Sequence, residues 1–338
     1  MVHKVLKMML LAVMLSVLTG CAFNSPVKAD AKETVRISSW IAYWDLEAGD
    51  KDLQRIETKL DKLSYFCAYF DQHDRLFIPQ ELSDKQKKTK SKKGTYETYL
   101  TFVNDRQNSD GLADLKDIEV LRRLFSSDAA MEKHIDEIIA LTMQGGYSGI
   151  ELDYERIWVD EKIGHYFLKF ADKLYGKAQA NNLKVRIVLE PRTPFSSAAF
   201  PQGPEYVVMM YNLYGLHSGP GPKANKDFIQ NTLARMSALP GSKSAAFATG
   251  GCIWGNNGEK RFLTEVEAKS LAVTYDAAAK RDKESQCLVF SYKDKGITYQ
   301  VWYADIETLK HWITIAKNQG VNNISLWRLG GNIDINKI

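Results

Sequence analysis

The sequence predicts an α/β protein, a closed (β/α)8 TIM barrel of eight parallel strands with helices between them. Eight short apolar or alternating runs have the length and residue types of β-strands. They lie at residues 36–44, 63–70, 99–104, 149–155, 184–190, 206–211, 244–249 and 323–327. Segments with a helical hydrophobic period separate them, and repeated strand-then-helix order favours a parallel sheet with right-handed crossovers. An open doubly wound sheet is the alternative, although no G-x-G-x-x-G follows the first run.

The composition is that of an ordinary folded protein. Of 338 residues, 45% are hydrophobic and 25% are charged, and the formal net charge is +4. These proportions exclude a chain that is disordered throughout. A nearly balanced charge gives no reason to expect a polyanionic partner, so we expect no binding of nucleic acid. We also expect a monomer.

The first residues have the pattern of an export signal. Lys4 and Lys7 precede an apolar run at 8–18, and small residues follow before Cys21. The segment Leu18-Thr19-Gly20-Cys21 resembles the lipobox of bacterial lipoproteins, which implies removal of residues 1–20, a lipid on Cys21 and a place in the cell envelope. A plain signal peptide or a membrane anchor is the alternative. Residues 21–34 then form a lipidated flexible tether, and the barrel occupies 35–338.

The sequence contains no recognisable set of ligands for a metal ion or a cofactor. The six histidines show no H-E-x-x-H spacing, and no C-x-x-C occurs. Beyond Cys21 the cysteines are Cys67, Cys252 and Cys287, and the sequence leaves open whether the last two form a disulfide. We expect no metal and no organic cofactor.

Two features depart from a minimal barrel. Residues 287–303 contain two β-prone runs around Lys293-Asp294-Lys295-Gly296, which predicts a β-hairpin inserted between the seventh and eighth strands, beside the active-site face. Six lysines lie between residues 85 and 93. They fit a solvated helix face or a loop, and a contact with an anionic wall polymer or membrane surface is the alternative.

The fourth predicted strand carries three acidic residues on one face. Glu151, Asp153 and Glu155 alternate with apolar residues, so their side chains point the same way, which in a closed barrel is the interior. Burial disfavours charged carboxylates, and neighbouring acids raise one another's pKa. Glu155, at the C-terminal mouth where the active sites of this fold lie, is therefore predicted to act as a general acid. An edge strand with a solvent-facing acidic side is the alternative.

At these residues the sequence resembles a known family. Residues 148–155, SGIELDYE, resemble the D-G-x-D-x-D-x-E signature of glycoside hydrolase family 18, the chitinase-like barrels. The resemblance implies that Glu155 is the proton donor and that Asp153 holds the substrate's N-acetyl group, whose oxygen attacks the anomeric carbon in place of an enzyme nucleophile. Ser148 and Glu151 stand where the family usually has Asp, and Glu151 is assigned to substrate binding.

Two later strands extend the resemblance. Residues 208–212, VMMYN, resemble the family's M-x-Y-D on the sixth strand, with Met209 and Asn212 beside Tyr211 and both assigned to substrate binding. The resemblance implies that the Tyr211 hydroxyl supports the oxazolinium intermediate and that Asn212, in place of the usual Asp, contacts the sugar. Residues 324–327, ISLW, resemble the closing strand, and Trp327 then forms the floor of a sugar site.

Further candidates follow from position alone. Glu190, at the end of the fifth strand, either lines the cleft or pairs with Arg192. Asn104 and Asp105 follow the third strand and either reach the site or form a turn. Aromatic residues near strand ends offer surfaces on which sugars could stack, half of them expected to be ordinary packing; they are Trp44, Tyr69, Trp158, Tyr214, Trp254 and Trp302.

These residues lead to one functional hypothesis with alternatives. The protein is predicted to be a lipid-anchored glycoside hydrolase that cleaves β-linked N-acetylglucosamine glycans with retention, acting on peptidoglycan, another envelope glycan or chitin-like oligomers. One alternative is an endo-β-N-acetylglucosaminidase that acts on N-glycans. Others are a non-catalytic carbohydrate-binding lipoprotein on the same fold, and a metal-dependent barrel with Glu151 and Asp153 as oxygen ligands.

Overall fold

The computed structural model describes residues 34–82, 96–108 and 113–338. Val35–Ile338 form one compact unit. The predicted signal peptide, Cys21, nearly all of the tether and the lysines between 85 and 93 lie outside the described residues, so the predictions for them stay predictions. No helix in the described ranges is long and apolar enough to cross a membrane.

Eight parallel strands close into a barrel. They are β1 (Arg36–Ala42), β2 (Leu60–Phe70), β4 (Glu97–Gln107), β6 (Gly149–Asp153), β7 (Lys184–Leu189), β8 (Glu205–Met209), β9 (Lys243–Ala248) and β15 (Asn323–Trp327). Two short strands, β3 (Leu76–Phe77) and β5 (Ala113–Asp114), pair with β2 and β4 respectively. Pairing of β1 with both β2 and β15 closes the circle. The predicted (β/α)8 barrel is confirmed.

Helices pack around the barrel. They are α1 (Leu46–Ile56), α2 (Ile118–Leu124), α3 (Asp128–Gly145), α4 (Glu161–Ala180), α5 (Lys226–Met236), α6 (Glu265–Thr274) and α7 (Ile306–Asn318). The two longest begin at side-chain caps, Ser127 for α3 and Asp160 for α4. Helix α3 ends at Gly146, whose φ of 71° lies in the left-handed region that glycine adopts freely.

One barrel connection has turns in place of a helix. Residues 190–204 link β7 to β8 and contain no helical segment. This stretch carries Pro191, Pro194, Pro201 and Pro204. Proline lacks the backbone N–H and disfavours helical conformation in the residue before it, so this spacing prevents a helix.

A second sheet is inserted between β9 and β15. Its strands are β10 (Gly250–Gly255), β11 (Lys260–Leu263), β12 (Lys280–Arg281), β13 (Leu288–Asp294) and β14 (Ile297–Ala304), in the antiparallel order β11-β10-β14-β13-β12. The predicted hairpin is present as β13 and β14, within this larger sheet. A single residue, Thr249, separates the first added strand from β9. Gly251 allows the added strands to approach closely, since a Cβ there would lie 1.8 Å from the Trp302 carbonyl oxygen.

A buried ion pair crosses the barrel interior. Arg186 on β7 and Glu151 on β6 are both almost fully inaccessible, and Arg186 Nη1 lies 2.8 Å from Glu151 Oε2. Arg186 also donates to the Ser64 and Ser325 hydroxyls at 3.1 and 2.9 Å. Because removing one member of such a pair leaves an uncompensated buried charge, its integrity matters more for stability than its net contribution suggests.

Replacing Arg186 with Met tests this pair. We expect Arg186→Met to lower the free energy of unfolding by about 3–5 kcal/mol, measured by urea denaturation, because Glu151 would stay buried without its cation. Lys184→Met on the same strand is the matched control, since the Lys184 side chain is 59% exposed in its pair with Glu97 and such pairs contribute less than about 1 kcal/mol. Equal losses from the two changes would contradict this account.

Candidate active site

An open cleft of about 1010 Å³ lies at the C-terminal mouth of the barrel. Loops that follow the strands build its walls, and the inserted sheet contributes Gly250 and residues 262–264. Seven of the predicted site residues line the cleft; they are Trp44, Asp153, Glu155, Glu190, Tyr211, Asn212 and Trp327. The structure therefore brings together side chains that lie up to 283 positions apart in the sequence.

Glu151 and Met209 do not line this cleft. Glu151 is fully buried below it and accepts hydrogen bonds from the Ser64 and Thr101 hydroxyls at 3.0 and 2.8 Å, as well as from the Trp40 indole. Both oxygens of the Glu151 carboxylate thus have partners in the barrel interior. The Met209 side chain packs in the interior cluster with Trp40 and Val207. The assignment of these two residues to substrate binding stays a prediction.

Glu155 is held in place by β4 and by the segment that follows β5. The Asn104 side chain on β4 accepts a hydrogen bond from the Glu155 backbone N–H at 2.9 Å and donates to the Glu155 carbonyl at 3.1 Å. Lys116 forms an ion pair with Glu155 Oε2. Asn104 and Asp105 both line the cleft from within β4, and Asp105 accepts a hydrogen bond from the Lys116 backbone N–H at 2.8 Å.

Lys116 could not have been found from the sequence. It lies 39 positions before Glu155 in an irregular segment, and no motif marks it. Its φ of 57° is in the left-handed region, which is uncommon for a residue other than glycine. Neighbouring contacts fix that backbone, including the hydrogen bond from Lys116 to Asp105 and a 2.8 Å bond from Asp117 N–H to the Asn104 carbonyl.

The acidic pair has raised pKa values. Burial raises the pKa of Asp153 well above its usual range, and the charges of Glu155 and Glu151 raise it further. Burial also raises the pKa of Glu155, while the charge of Lys116 opposes that shift. The two carboxyl groups therefore retain protons at a higher pH than exposed acids do, which is what a general acid requires.

Tyr211 supplies a neutral hydroxyl to the same cleft. Burial raises the pKa of Tyr211 well above its usual range, and the charges of Asp153 and Glu155 add to the shift. The hydroxyl therefore stays protonated at physiological pH and can donate a hydrogen bond to a bound ligand. Asn212, which follows it, offers an amide donor and acceptor at the cleft wall.

Aromatic rings form the floor and the rim of the cleft. The Trp327 ring packs edge-on against Trp40 and Phe66, with centroids 5.8 and 4.9 Å away. Of the six aromatic residues proposed from position, Trp44, Tyr69 and Tyr214 line the cleft and the other three do not. Among those three, Trp254 donates to the Gly215 and Ser218 carbonyls and so supports the loop after β8.

Glu190 lines the cleft and is not paired with Arg192. Its Oε2 accepts a hydrogen bond from the Arg156 backbone N–H at 2.9 Å, next to Glu155 in the chain. Of the two possibilities for Glu190, the structure therefore favours the cleft. It lies close enough to Glu155 for its charge to raise the pKa of that acid.

No metal cluster is found in the part of the chain that the structure describes. Groups of three or more His, Cys, Asp or Glu side chains that could hold an ion do not occur there. Cys67, Cys252 and Cys287 are buried free thiols, so Cys252 and Cys287 form no disulfide in this structure.

Comparison with known proteins gives sequence relatives at low identity. No family model matches the sequence. An uncharacterised glycosylase of Bacillus subtilis, YvbX, is 23% identical over 259 residues, covering 72% of this chain and 73% of YvbX. The chain spans 54% to 73% of the length of the curated relatives it matches.

Solved structures agree in architecture. The spore cortex-lytic enzyme SleL of Bacillus cereus superposes with a TM-score of 0.76 at 17% identity, over 90% of this chain and 73% of SleL. A chitinase of Chromobacterium violaceum superposes with a TM-score of 0.73 at 16% identity, over 89% of this chain and 96% of that one. The chain has the fold of the family 18 glycoside hydrolases. The resemblance predicted from the fourth-strand motif is confirmed.

The family 18 fold accounts for where the predicted residues lie. In this chain Glu155 lies two residues after β6, Tyr211 lies two residues after β8, and Trp327 ends β15, and all three line one cleft. The relatives are glycosylases, cortex-lytic enzymes and chitinases by name, which is the enzyme class that the motif predicts. The role of each individual residue stays a prediction.

The opposing effect of Lys116 on Glu155 can be measured directly. We expect Lys116→Met to raise the pKa of the Glu155 carboxyl, because the change removes the charge that holds this pKa down. The measurement is an NMR titration of 13C-labelled glutamate, with the Glu155 signal assigned as the one lost in Glu155→Gln.

The control for this titration is Lys133→Met, whose side chain is 81% exposed outside the cleft. It removes the same charge and should leave the titration of Glu155 where it is. A pKa of Glu155 that stays the same or falls in Lys116→Met would show that the ion pair has little influence on the acid.

Proposed function

We propose that the protein is a retaining glycoside hydrolase that cleaves β-linked N-acetylglucosamine glycans of the cell envelope by substrate-assisted catalysis. The observation that carries the proposal is the convergence of Asp153, Glu155, Tyr211 and Trp327 in one cleft. A carboxyl with a raised pKa, a neutral tyrosine hydroxyl and an aromatic floor are the groups that this reaction needs. The name of SleL, a cortex-lytic enzyme, favours an envelope glycan.

The first half of the reaction uses the proton of Glu155. Glu155 gives that proton to the glycosidic oxygen as the bond from this oxygen to the anomeric carbon breaks. The acetamido oxygen of the same sugar attacks the anomeric carbon and forms an oxazolinium ion. Asp153 and the Tyr211 hydroxyl orient the acetamido group, and Trp327 supports the sugar face.

The second half returns the proton. The Glu155 carboxylate takes a proton from water, and the water oxygen attacks the anomeric carbon from the side that the leaving group vacated. The oxazolinium ring reopens, so the product keeps its configuration. Lys116 stabilises the carboxylate form of Glu155 that exists between the two halves, because the two groups form an ion pair.

The site residues can be tested by a conservative change of the acid. With the soluble domain from Ala22 onward, we expect hydrolysis of N-acetylglucosamine oligosaccharides or purified peptidoglycan, and a loss of about 10²–10⁴-fold in Glu155→Gln, which cannot donate the proton. A high-mannose glycopeptide in the same assay tests the alternative of N-glycan cleavage. Glu161→Gln, at the exposed start of α4, is the control and should keep full activity.

Two outcomes would contradict this proposal. Cleavage that is equally fast in Glu155→Gln would remove Glu155 from the role of acid. Binding of a glycan without cleavage by either protein would indicate a carbohydrate-binding module on this fold.

We also propose that the chain is anchored through a lipid on Cys21, with the barrel outside the cytoplasm. The support is the lipobox-like segment that ends at Cys21. The full-length protein, expressed in a bacterium supplied with labelled fatty acid, should incorporate the label, and Cys21→Ala should lose it because the thiol that carries the lipid is gone. Equal labelling of the two proteins would exclude the anchor at this cysteine, and Cys67→Ala serves as the control.

A further inference from the structure

Five lysine and arginine side chains line the cleft, and most of them are neutralised or solvated. Arg106 pairs with Asp114 and Asp117, Lys116 with Glu155, and Arg328 with Asp45. Arg192 is exposed to solvent. The fifth cation is Lys223, which is half-buried and forms no ion pair or side-chain hydrogen bond with any residue of 34–82, 96–108 and 113–338.

The surroundings of Lys223 offer its charge an aromatic ring and no carboxylate partner among the described residues. Its ammonium lies 5.0 Å from the centroid of the Phe262 ring, which is 57% exposed at the cleft. Burial lowers the pKa of Lys223, and the charge of Arg328 lowers it further. Lysines are rarely withdrawn from water without a carboxylate partner, because desolvation penalises the charge.

A carboxylate that lines the same cleft, Glu267, already has partners of its own. Glu267, which lines the cleft from the start of α6, accepts hydrogen bonds from the Thr264 backbone N–H at 2.7 Å and from its hydroxyl at 3.0 Å. It also pairs with Arg261 at 3.1 Å. Lys223 itself is fixed at the backbone, where its carbonyl accepts a hydrogen bond from Leu213 N–H at 3.1 Å. The cation is thus held in the cleft with its donors available.

We propose that Lys223 binds a carboxylate carried by the glycan substrate. This inference rests on the proposed function and narrows it, because a neutral N-acetylglucosamine polymer has no such group. The substrate class is an acetamido glycan with carboxylates, as in a muramic acid lactyl group or a peptide attached to it. A bound carboxylate supplies the partner that Lys223 lacks and forms charge-assisted hydrogen bonds, strengthened by the nearby Arg328 charge.

Binding to an inactive protein tests this without relying on catalysis. In the Glu155→Gln background, calorimetry measures the affinity for an N-acetylglucosamine–N-acetylmuramic acid oligosaccharide and for the same compound with its lactyl carboxyls amidated. A second pair, a muropeptide with free and with amidated peptide carboxyls, distinguishes the two sources of the carboxylate. We expect the acid to bind about 10–100-fold more tightly in at least one pair, the range for a hydrogen bond to a charged group.

The matched variants locate the effect at Lys223. Adding Lys223→Met to Glu155→Gln should bring the acid-to-amide ratio of affinities to about one, and Lys223→Arg should restore much of it. Lys226→Met, an exposed lysine three positions along the chain, removes the same charge and should leave the ratio as it is. Thermal unfolding of each variant confirms that the barrel is intact.

The outcomes separate this inference from the proposed function. Equal affinity for acid and amide in both pairs overturns the role of Lys223, while cleavage of neutral oligosaccharides by the wild type would leave the proposed function standing. A preference that persists in Lys223→Met overturns the inference as well. Failure of every oligosaccharide to bind would overturn both together.

Discussion

The carboxylates of β6 are the constraint on which the rest of the molecule depends. A strand that places acidic side chains at successive inward positions has to compensate each of them separately, because every one lies in a poorly hydrated interior. Glu151, the deepest, is neutralised by Arg186 from the next strand. Asp153, in the middle, has a raised pKa. Glu155, at the mouth, has Lys116 beside it.

The three environments of these carboxyl groups have different chemical consequences. A fully bonded ion pair such as Glu151 with Arg186 is inert toward a ligand and contributes to the barrel. A carboxyl whose pKa is raised by burial can hold or release a proton, and one paired with a lysine is stabilised in its carboxylate form. The depth of each acid along a single strand therefore decides whether it serves the fold or the reaction.

Most of the architecture could be predicted because strands and helices alternate along the sequence. Within a strand, every second side chain faces the barrel interior, so the face that carries the acids could be predicted as well. All eight barrel strands were predicted, and Asp153, Glu155, Tyr211 and Trp327 lie at one cleft because C-terminal strand ends meet there. Alternation gives the face on which Glu151 lies, but its partners in the interior come from other strands and could not be predicted. The role of Lys116 in irregular loop backbone, and most of the inserted sheet, depend on contacts between distant segments.

The inserted sheet has a hydrophobic cluster of its own, which includes Ile253, Phe290 and Tyr303 and is separate from the barrel's clusters. It reaches the cleft through β11 and the start of α6, while the acids are held by β6, by Asn104 of β4 and by Lys116. One wall of the groove thus has a small hydrophobic core of its own, while Cys287 and Ala304 of the same insertion join it to the barrel core. Substitutions in the insertion can therefore change the width of the cleft while the proton-transferring groups keep their positions. Such changes would alter which glycans bind without altering the catalytic groups.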